Sequence, residues 1–327
     1  MLPRAALVAG AVLAGALLGE LVVRAAGYRP GLLDPGMFVV RNDESCRVGL
    51  RPLCHGVYAG GQVSVDSEGR RTVVRPDSSA PGCKRGEEKR LLVLGDSVAF
   101  GQGLDDDQTL ASQLQARLSR EGRCWGVENV AVPTYNSLNE LSELRRYLGE
   151  RTPDEVLLVW ASNDFGLHPD ALGITQGKFG FVSEDRLHRA LRWLYRHVYV
   201  ASLTGDVVRR ARSKSLVAER DRCALPPSDI LEKNVEILRE MRSALSAVGA
   251  RFVIGLYVDP VWAREPEDRR HLEAWRTRLA GEGFDVFLFE SHVRRLTPAQ
   301  ARVRLNDHHP GPRAVSLMAE DAMGHLF

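Results

Sequence analysis

Three short polar runs in this sequence hold the residue types of acyl transfer. They are Gly95-Asp96-Ser97, Ala161-Ser162-Asn163-Asp164 and Asn306-Asp307-His308-His309-Pro310. A serine hydroxyl is a weak nucleophile until an imidazole takes its proton, and a carboxylate is the usual group that orients that imidazole. The negative charge that then develops on a carbonyl oxygen needs hydrogen-bond donors, which a side-chain amide can supply. Taken singly, each run has a plain reading: a turn for Gly-Asp-Ser, a turn for Asn-Asp, and a helix cap with a surface imidazole for Asp-His-His. Their meaning depends on the elements that deliver them.

From Lys89 onward the texture alternates. Residues 90–94 form an apolar run ending in glycine, the pattern of a strand buried on both faces. Leu110, Leu114 and Leu118 mark one face of a helix, residues 127–132 a second strand, and Leu138, Leu141, Leu144 and Leu148 a second helix. Residues 156–160 read as a third strand. Leu231, Val235, Leu238 and Leu245 line a long helix leading to a strand at 252–258. Leu272, Trp275 and Leu279 mark the helix before a strand at 284–289, and 311–327 is a closing helix with Val315, Met318, Ala322 and Met323 inward. Repeated β–α alternation predicts an α/β fold with a central parallel sheet covered by helices on both faces. Ligands of such sheets bind outside the carboxyl ends of the strands. Ser97 follows the first strand, Asn163 the third, and the Asp-His run comes after the last. All three reach one rim, which assembles a nucleophile, an oxyanion donor and a base with its acid.

In this order and context the chain resembles the GDSL/SGNH hydrolase family, whose four blocks supply Ser, Gly, Asn and His. The first block matches as Leu92-Val93-Leu94-Gly95-Asp96-Ser97 followed by Phe100-Gly101-Gln102-Gly103, and the third as Trp160-Ala161-Ser162-Asn163-Asp164. The last matches as Asp307-His308-His309-Pro310. The resemblance covers residue 89 to the C-terminus apart from an insertion at about 165–227. It implies a flavodoxin-like three-layer sandwich with Ser97 as nucleophile, His309 as general base and Asn163 as a side-chain oxyanion donor. The N–H of Ser97 itself is a further donor.

Two departures from the family bear on the site. The second block reads Asn129-Val130-Ala131-Val132-Pro133-Thr134-Tyr135-Asn136-Ser137, with Thr134 where the family has glycine. The donor there is a backbone N–H, which a side chain need not abolish. A glycine normally serves where the backbone needs positive φ or close approach to a ligand. Many members also place the acid three residues before the histidine, where this chain has Asn306. Others place it two before, which selects Asp307 and leaves His308 as a bystander or substrate contact.

The remaining segments bear on location. Residues 1–26 carry one early arginine and an uncharged run from Ala5 to Gly19, interrupted at Glu20, extended by Leu21-Val22-Val23 and closed by Arg24. This reads as an uncleaved signal anchor, or a signal peptide if cleaved. The catalytic domain is then exported, facing the periplasm or the extracellular side, with membrane contact at the N-terminus. Residues 27–88 form a small β-containing extension, with a hairpin expected between 62–65 and 71–74. The five cysteines contain no Cys-x-x-Cys pair, which argues for one or two disulfides in an oxidising compartment rather than a zinc site. In the insertion, Leu187, Leu191, Leu194 and Val198 form an apolar stripe beside Arg186, Arg189, Arg192 and Arg196. It reads as a cap helix with a solvated face, the alternative being a helix that touches a membrane or anionic glycan.

Lys and Arg number 44 against 42 Asp and Glu, for a net charge of +2, and no basic stripe with interleaved aromatics suggests nucleic acid. No phosphate-binding glycine loop or Gly-x-Ser-x-Gly elbow occurs, and no Asp-x-Asp element appears at a strand end, so neither cofactor nor metal is expected. The expected activity is a serine esterase acting on acyl or acetyl esters of a small molecule, lipid or envelope glycan. Two alternatives share these residues: a non-catalytic, glycan-binding degenerate hydrolase and an O-acetyltransferase on an envelope polysaccharide.

Overall fold

The five apolar runs after Lys89 all become strands of one sheet in the computed structural model. The structure describes residues 2–26, 28, 37–40, 48–76, 83, 88–161, 193–194, 197–205, 227–257, 259, 266–304 and 307–327. The N-terminal helix α1 (Leu2–Ala25) precedes two small antiparallel pairs. These are β1 (Phe38–Val40) with β2 (Val48–Leu50), and β3 (His55–Tyr58) with β4 (Gly61–Ser64). The main sheet then takes β5 (Lys89–Gly95), β6 (Trp125–Asn129), β7 (Glu155–Trp160), β8 (Arg251–Tyr257) and β9 (Asp285–Phe289) in the order β6-β5-β7-β8-β9. Every pairing within it is parallel. The helices are α2 (Ser97–Phe100), α3 (Leu110–Arg120), α4 (Ser137–Glu150), α5 (Pro227–Ala247), α6 (Pro266–Gly281), α7 (Ser291–Arg295), α8 (Pro298–Ala301) and α9 (Pro312–Leu326). A last antiparallel pair, β10 (Arg302–Arg304) and β11 (Asp307–Pro310), delivers the Asp-His run.

Strand pleating explains why β5 is apolar from Leu91 onward. Successive side chains point to opposite faces. Leu91 and Val93 enter a core with Leu110, Leu114 and Leu118 of α3 and Val315, Met318 and Ala322 of α9. Leu92 and Leu94 enter the other core with Leu141 and Leu144 of α4 and Val235, Leu238 and Met241 of α5. The result is the three-layer α/β sandwich expected, with the sheet order reversing beside β5. Open α/β sheets bind their ligands at such a switch point.

The local differences from expectation have physical causes. β6 ends at Asn129 rather than at residue 132, because the Asn129 side chain accepts from the Ala131 N–H (3.1 Å) and turns the chain. β4 pairs with β3 rather than with residues 71–74. Ala59 and Gly60 both have positive φ (47° and 88°), the pattern of a two-residue hairpin turn. The expected hairpin forms in short form, with the bridge Val65–Arg71 and the N–H groups of Asp66 and Thr72 donating to the Arg70 and Ser64 carbonyls (2.9 Å each), and Arg71 bridges onward to Asn129 of β6. Met37, Phe38, Leu50, Tyr58, Val63 and Val65 of the extension are buried in the same core as α3 and α9. A disulfide joins Cys83 to Cys124, just ahead of β6, with Cα atoms 5.3 Å apart.

The α1 segment Ala6–Ala25 is long and apolar enough to cross a membrane, and none of it is buried. The charge that interrupts it has a structural use. Glu20 accepts from the N–H groups of Tyr199 (2.9 Å) and Val200 (3.0 Å), and so caps the helical residues 199–205. Arg24 donates to the His197 carbonyl at 2.8 Å and lies over the Tyr199 ring. The arginine-bearing stripe of the insertion falls mostly outside the described residues.

Candidate active site

Three constraints hold the turn after β5 open for Ser97. Gly95 has φ +148°, and a Cβ there would come within 2.7 Å of the Val159 carbonyl oxygen and 2.8 Å of the Ala99 Cβ. Asp96 is the N-cap of α2, its carboxylate accepting from the Val98 N–H at 2.8 Å. Gly101 ends the turn in the left-handed region at φ 83°, where a Cβ would meet Thr109 Cγ2 at 2.9 Å. Only residues without a Cβ fit both glycine positions, so the backbone around Ser97 has little freedom.

The C-terminal pair β10–β11 crosses this turn. His309 Nε2 lies 2.8 Å from Ser97 Oγ, and its Nδ1 lies 2.5 Å from Asp307 Oδ1. Asp307 Oδ1 also accepts from the His309 backbone N–H (3.1 Å), which fixes the two-residue spacing as a tight local unit. A second acceptor competes for the serine proton, since Ser97 Oγ lies 3.2 Å from Asp96 Oδ2. The shorter distance is the one to His309. With the Nδ1 proton shared with the carboxylate, Nε2 is left as an acceptor for the serine proton. The arrangement can deprotonate Ser97 and hold the resulting imidazolium beside a carboxylate.

Thr134 stands at φ 78°, a backbone conformation that a β-branched residue adopts only under strain. It is exposed. The preceding Val132 N–H donates to the Gly95 carbonyl at 3.3 Å, so the Pro133–Tyr135 turn starts beside the strand end that carries Ser97. Asn163 and Asn306 lie outside the described residues. Among the described residues, no group of three or more His, Cys, Asp or Glu is placed to hold a metal ion.

Four residues that sequence reading did not single out support this centre. Asn129 is buried and its Nδ2 donates to the Ala99 carbonyl (3.1 Å), tying α2 to the end of β6. Arg71 is fully buried and donates to the carbonyls of Phe100 (2.8 Å), Gly101 (2.7 Å) and Leu104 (2.6 Å) and to Asp106 (3.2 Å). Burial lowers its pKa to about 10, with Asp106 acting in the opposite sense, so it stays charged at neutral pH. Tyr58 donates to Gln102 Oε1 at 2.9 Å, and Gln102 Nε2 lies 3.3 Å from His309 Nδ1. Burial first, and then the charges of Asp307 and Asp96, push the Tyr58 phenol far above its ordinary value. The only sequence signals were Gln102 within the first block, Asn129 at the head of the second, and two adjacent arginines in the extension.

The chain is similar to esterases, among them proteins described as members of the GDSL and SGNH families. No family model matches it. Esterase TesA of Pseudomonas aeruginosa is 36% identical over 74 residues, which cover 23% of this chain and 37% of that protein. The chain thus spans little more than a third of the curated relative it matches. The crystal structure of TesA aligns with 73% of this chain and 98% of its own, at 20% identity and a TM-score of 0.47. AlinE4, an SGNH-hydrolase family esterase, aligns with 74% of this chain and 97% of its own, at 16% identity and a TM-score of 0.41.

Proposed function

We propose that this chain is a serine esterase that hydrolyses acyl esters through Ser97, His309 and Asp307. The observation that carries the reading is the chain of contacts from Ser97 Oγ to His309 Nε2 (2.8 Å) and from His309 Nδ1 to Asp307 Oδ1 (2.5 Å). As Ser97 Oγ attacks the ester carbonyl, His309 takes its proton, and Asp307 holds the ring tautomer and stabilises the imidazolium. The tetrahedral oxyanion is met by the N–H groups of Ser97 and Thr134 and the side-chain amide of Asn163. His309 then returns the proton to the leaving alcohol, and water attacks the acyl-enzyme by the same route.

Export with retention of α1 as a membrane anchor belongs to the same reading. Its support is the apolar Ala6–Ala25 segment and the Cys83–Cys124 disulfide, a bond that persists in oxidising compartments. The carrier of the ester is then a lipid or envelope glycan within reach of the membrane.

A fluorophosphonate probe tests the chemistry directly. Wild-type protein takes the label, and Ser97→Ala and His309→Ala do not; hydrolysis of p-nitrophenyl acetate against longer acyl esters reports the acyl preference. Folded wild-type protein that neither labels nor turns over ester would sink the esterase in favour of a non-catalytic binder. Acetyl transfer in place of hydrolysis would show as acetylated glycan when an acceptor is supplied.

A further inference from the structure

The back of the His309 ring meets two groups. Nδ1 lies 2.5 Å from Asp307 Oδ1 and 3.3 Å from the Gln102 side-chain nitrogen. So short a contact between a ring nitrogen and a carboxylate holds a proton, so Nδ1 is a donor. The amide nitrogen is a donor too, and two donors do not bond. Turning the Gln102 amide over exchanges its nitrogen and oxygen and moves nothing else. The oxygen then accepts from Nδ1–H, and the nitrogen donates to the Tyr58 oxygen 2.9 Å from the amide's other end. Only this second arrangement removes the donor–donor contact at Nδ1, with Tyr58 accepting from the amide instead of donating to it.

We propose that Gln102, oriented by Tyr58, is a positioning residue for His309, its carbonyl oxygen sharing the Nδ1 proton with Asp307. The inference rests on the esterase reading given above. The support of the amide is built into the fold on both sides. The Gln102 backbone N–H donates to the Ser97 carbonyl at 2.9 Å, so the residue that steadies the base hangs from the residue that carries the nucleophile. Tyr58 is buried, its ring edge-on to Phe38 and to Phe100 with centroids 5.6 Å from each. A hydroxyl on so confined a ring has one place to be. Gln102 therefore restrains the imidazole plane as the ring gains and loses its proton.

The charged and titratable groups gathered here, among the described residues, are Asp307 of β11, Asp96 at the start of α2, and Tyr58 of β3. Behind them lie Tyr257 of β8 and the Asp259–Arg302 pair (3.5 Å). Burial holds both phenols neutral, which leaves the carboxylates of Asp307, Asp96 and Asp259 and the guanidiniums of Arg71 and Arg302 as the charged groups around the site.

The test compares Gln102→Glu, Gln102→Met and Tyr58→Phe in the full chain by two readouts. One is the pH dependence of kcat/KM on p-nitrophenyl acetate; the other is the ¹⁵N NMR titration of the His309 ring. A second carboxylate favours the imidazolium, so Gln102→Glu moves the acid limb and the ring titration up by about one pH unit. Gln102→Met lowers kcat by roughly tenfold, the worth of one hydrogen bond, with KM nearly unchanged. Tyr58→Phe gives a smaller loss of the same kind, and adding it to Gln102→Met costs nothing more. An unmoved ring titration in Gln102→Glu, or wild-type kcat in folded Gln102→Met, overturns the proposal. The NMR arm needs no turnover, so it still decides if the wild-type protein hydrolyses no ester and the esterase reading fails.

Discussion

The guanidinium of Arg71 donates to the carbonyl oxygen of Gly101 at 2.7 Å, and Gly101 closes the helical turn that begins at Ser97. Arg71 belongs to the segment ahead of the main sheet. That segment therefore supplies the floor beneath the Ser97 turn, and the geometry of the proposed site depends on residues before Lys89.

Arg71→Met keeps most of the side chain's volume but strands the carbonyls of Phe100, Gly101 and Leu104 and the Asp106 carboxylate. Removing one side of a buried charged network costs about 3–5 kcal/mol. Guanidinium unfolding should show a loss of that size. Arg71→Lys recovers only a part, because one ammonium cannot fill the planar fork. A Met variant as stable as wild type would remove the floor from the argument.

Asp307 and Asn306 are adjacent in sequence, and Asp307 Oδ1 lies 2.5 Å from His309 Nδ1. Asp307→Asn should lower kcat by roughly ten-thousand-fold through loss of the productive tautomer. Asn306→Ala should stay close to wild type. Steady-state kinetics on one ester settles the pair, and the reverse ranking would move the acid to position 306.

Thr134 holds φ 78° without being a glycine. Thr134→Gly should raise stability by up to about 1 kcal/mol, the relief of left-handed strain less the added entropy of the unfolded chain. It keeps the N–H that is proposed to face the oxyanion, so kcat should hold or rise. Thermal unfolding and kinetics on the same sample give both answers. A drop in kcat would show that the threonine side chain itself contributes.

Glu155 is buried at the start of β7, 2.7 Å from Arg251. Burial raises its pKa from 4.5 to about 6, with Arg251 opposing. A carboxyl whose folded value lies above its unfolded one favours folding below pH 4.5, and that contribution is lost as pH rises through about 6. The shift corresponds to about 2 kcal/mol. Wild type should lose about that much relative to Glu155→Gln between about pH 4 and about pH 7, read by denaturant unfolding at each pH. Parallel pH profiles for the two proteins would contradict the raised value.

The sheet was legible because its inner strands β5, β7 and β8 are buried on both faces and so read as nearly unbroken apolar runs, as residues 91–95 do. Ser97, Asp307 and His309 stood out because each follows an element end and carries a side chain suited to acyl transfer. Arg71, Tyr58 and Gln102 did not, since what they do depends on contacts across 29 to 207 residues of sequence that no local pattern encodes. The hairpin about residues 66–69 is shorter than expected for a related reason. The alternation in 62–65 fits a partner on either side, and the backbone at Ala59 and Gly60 decides for β3. The strained backbone at Thr134 was signalled only as a missing glycine.

The Cys83–Cys124 bond has a consequence in time. It encloses Ser97, whereas His309 comes 212 residues after Ser97 in the chain. A growing chain can therefore close this loop and shape the serine's turn long before its base has been synthesised. On the esterase reading no nascent fragment carries a working centre, and the proposed site is complete only when the last strand pair joins the Ser97 turn.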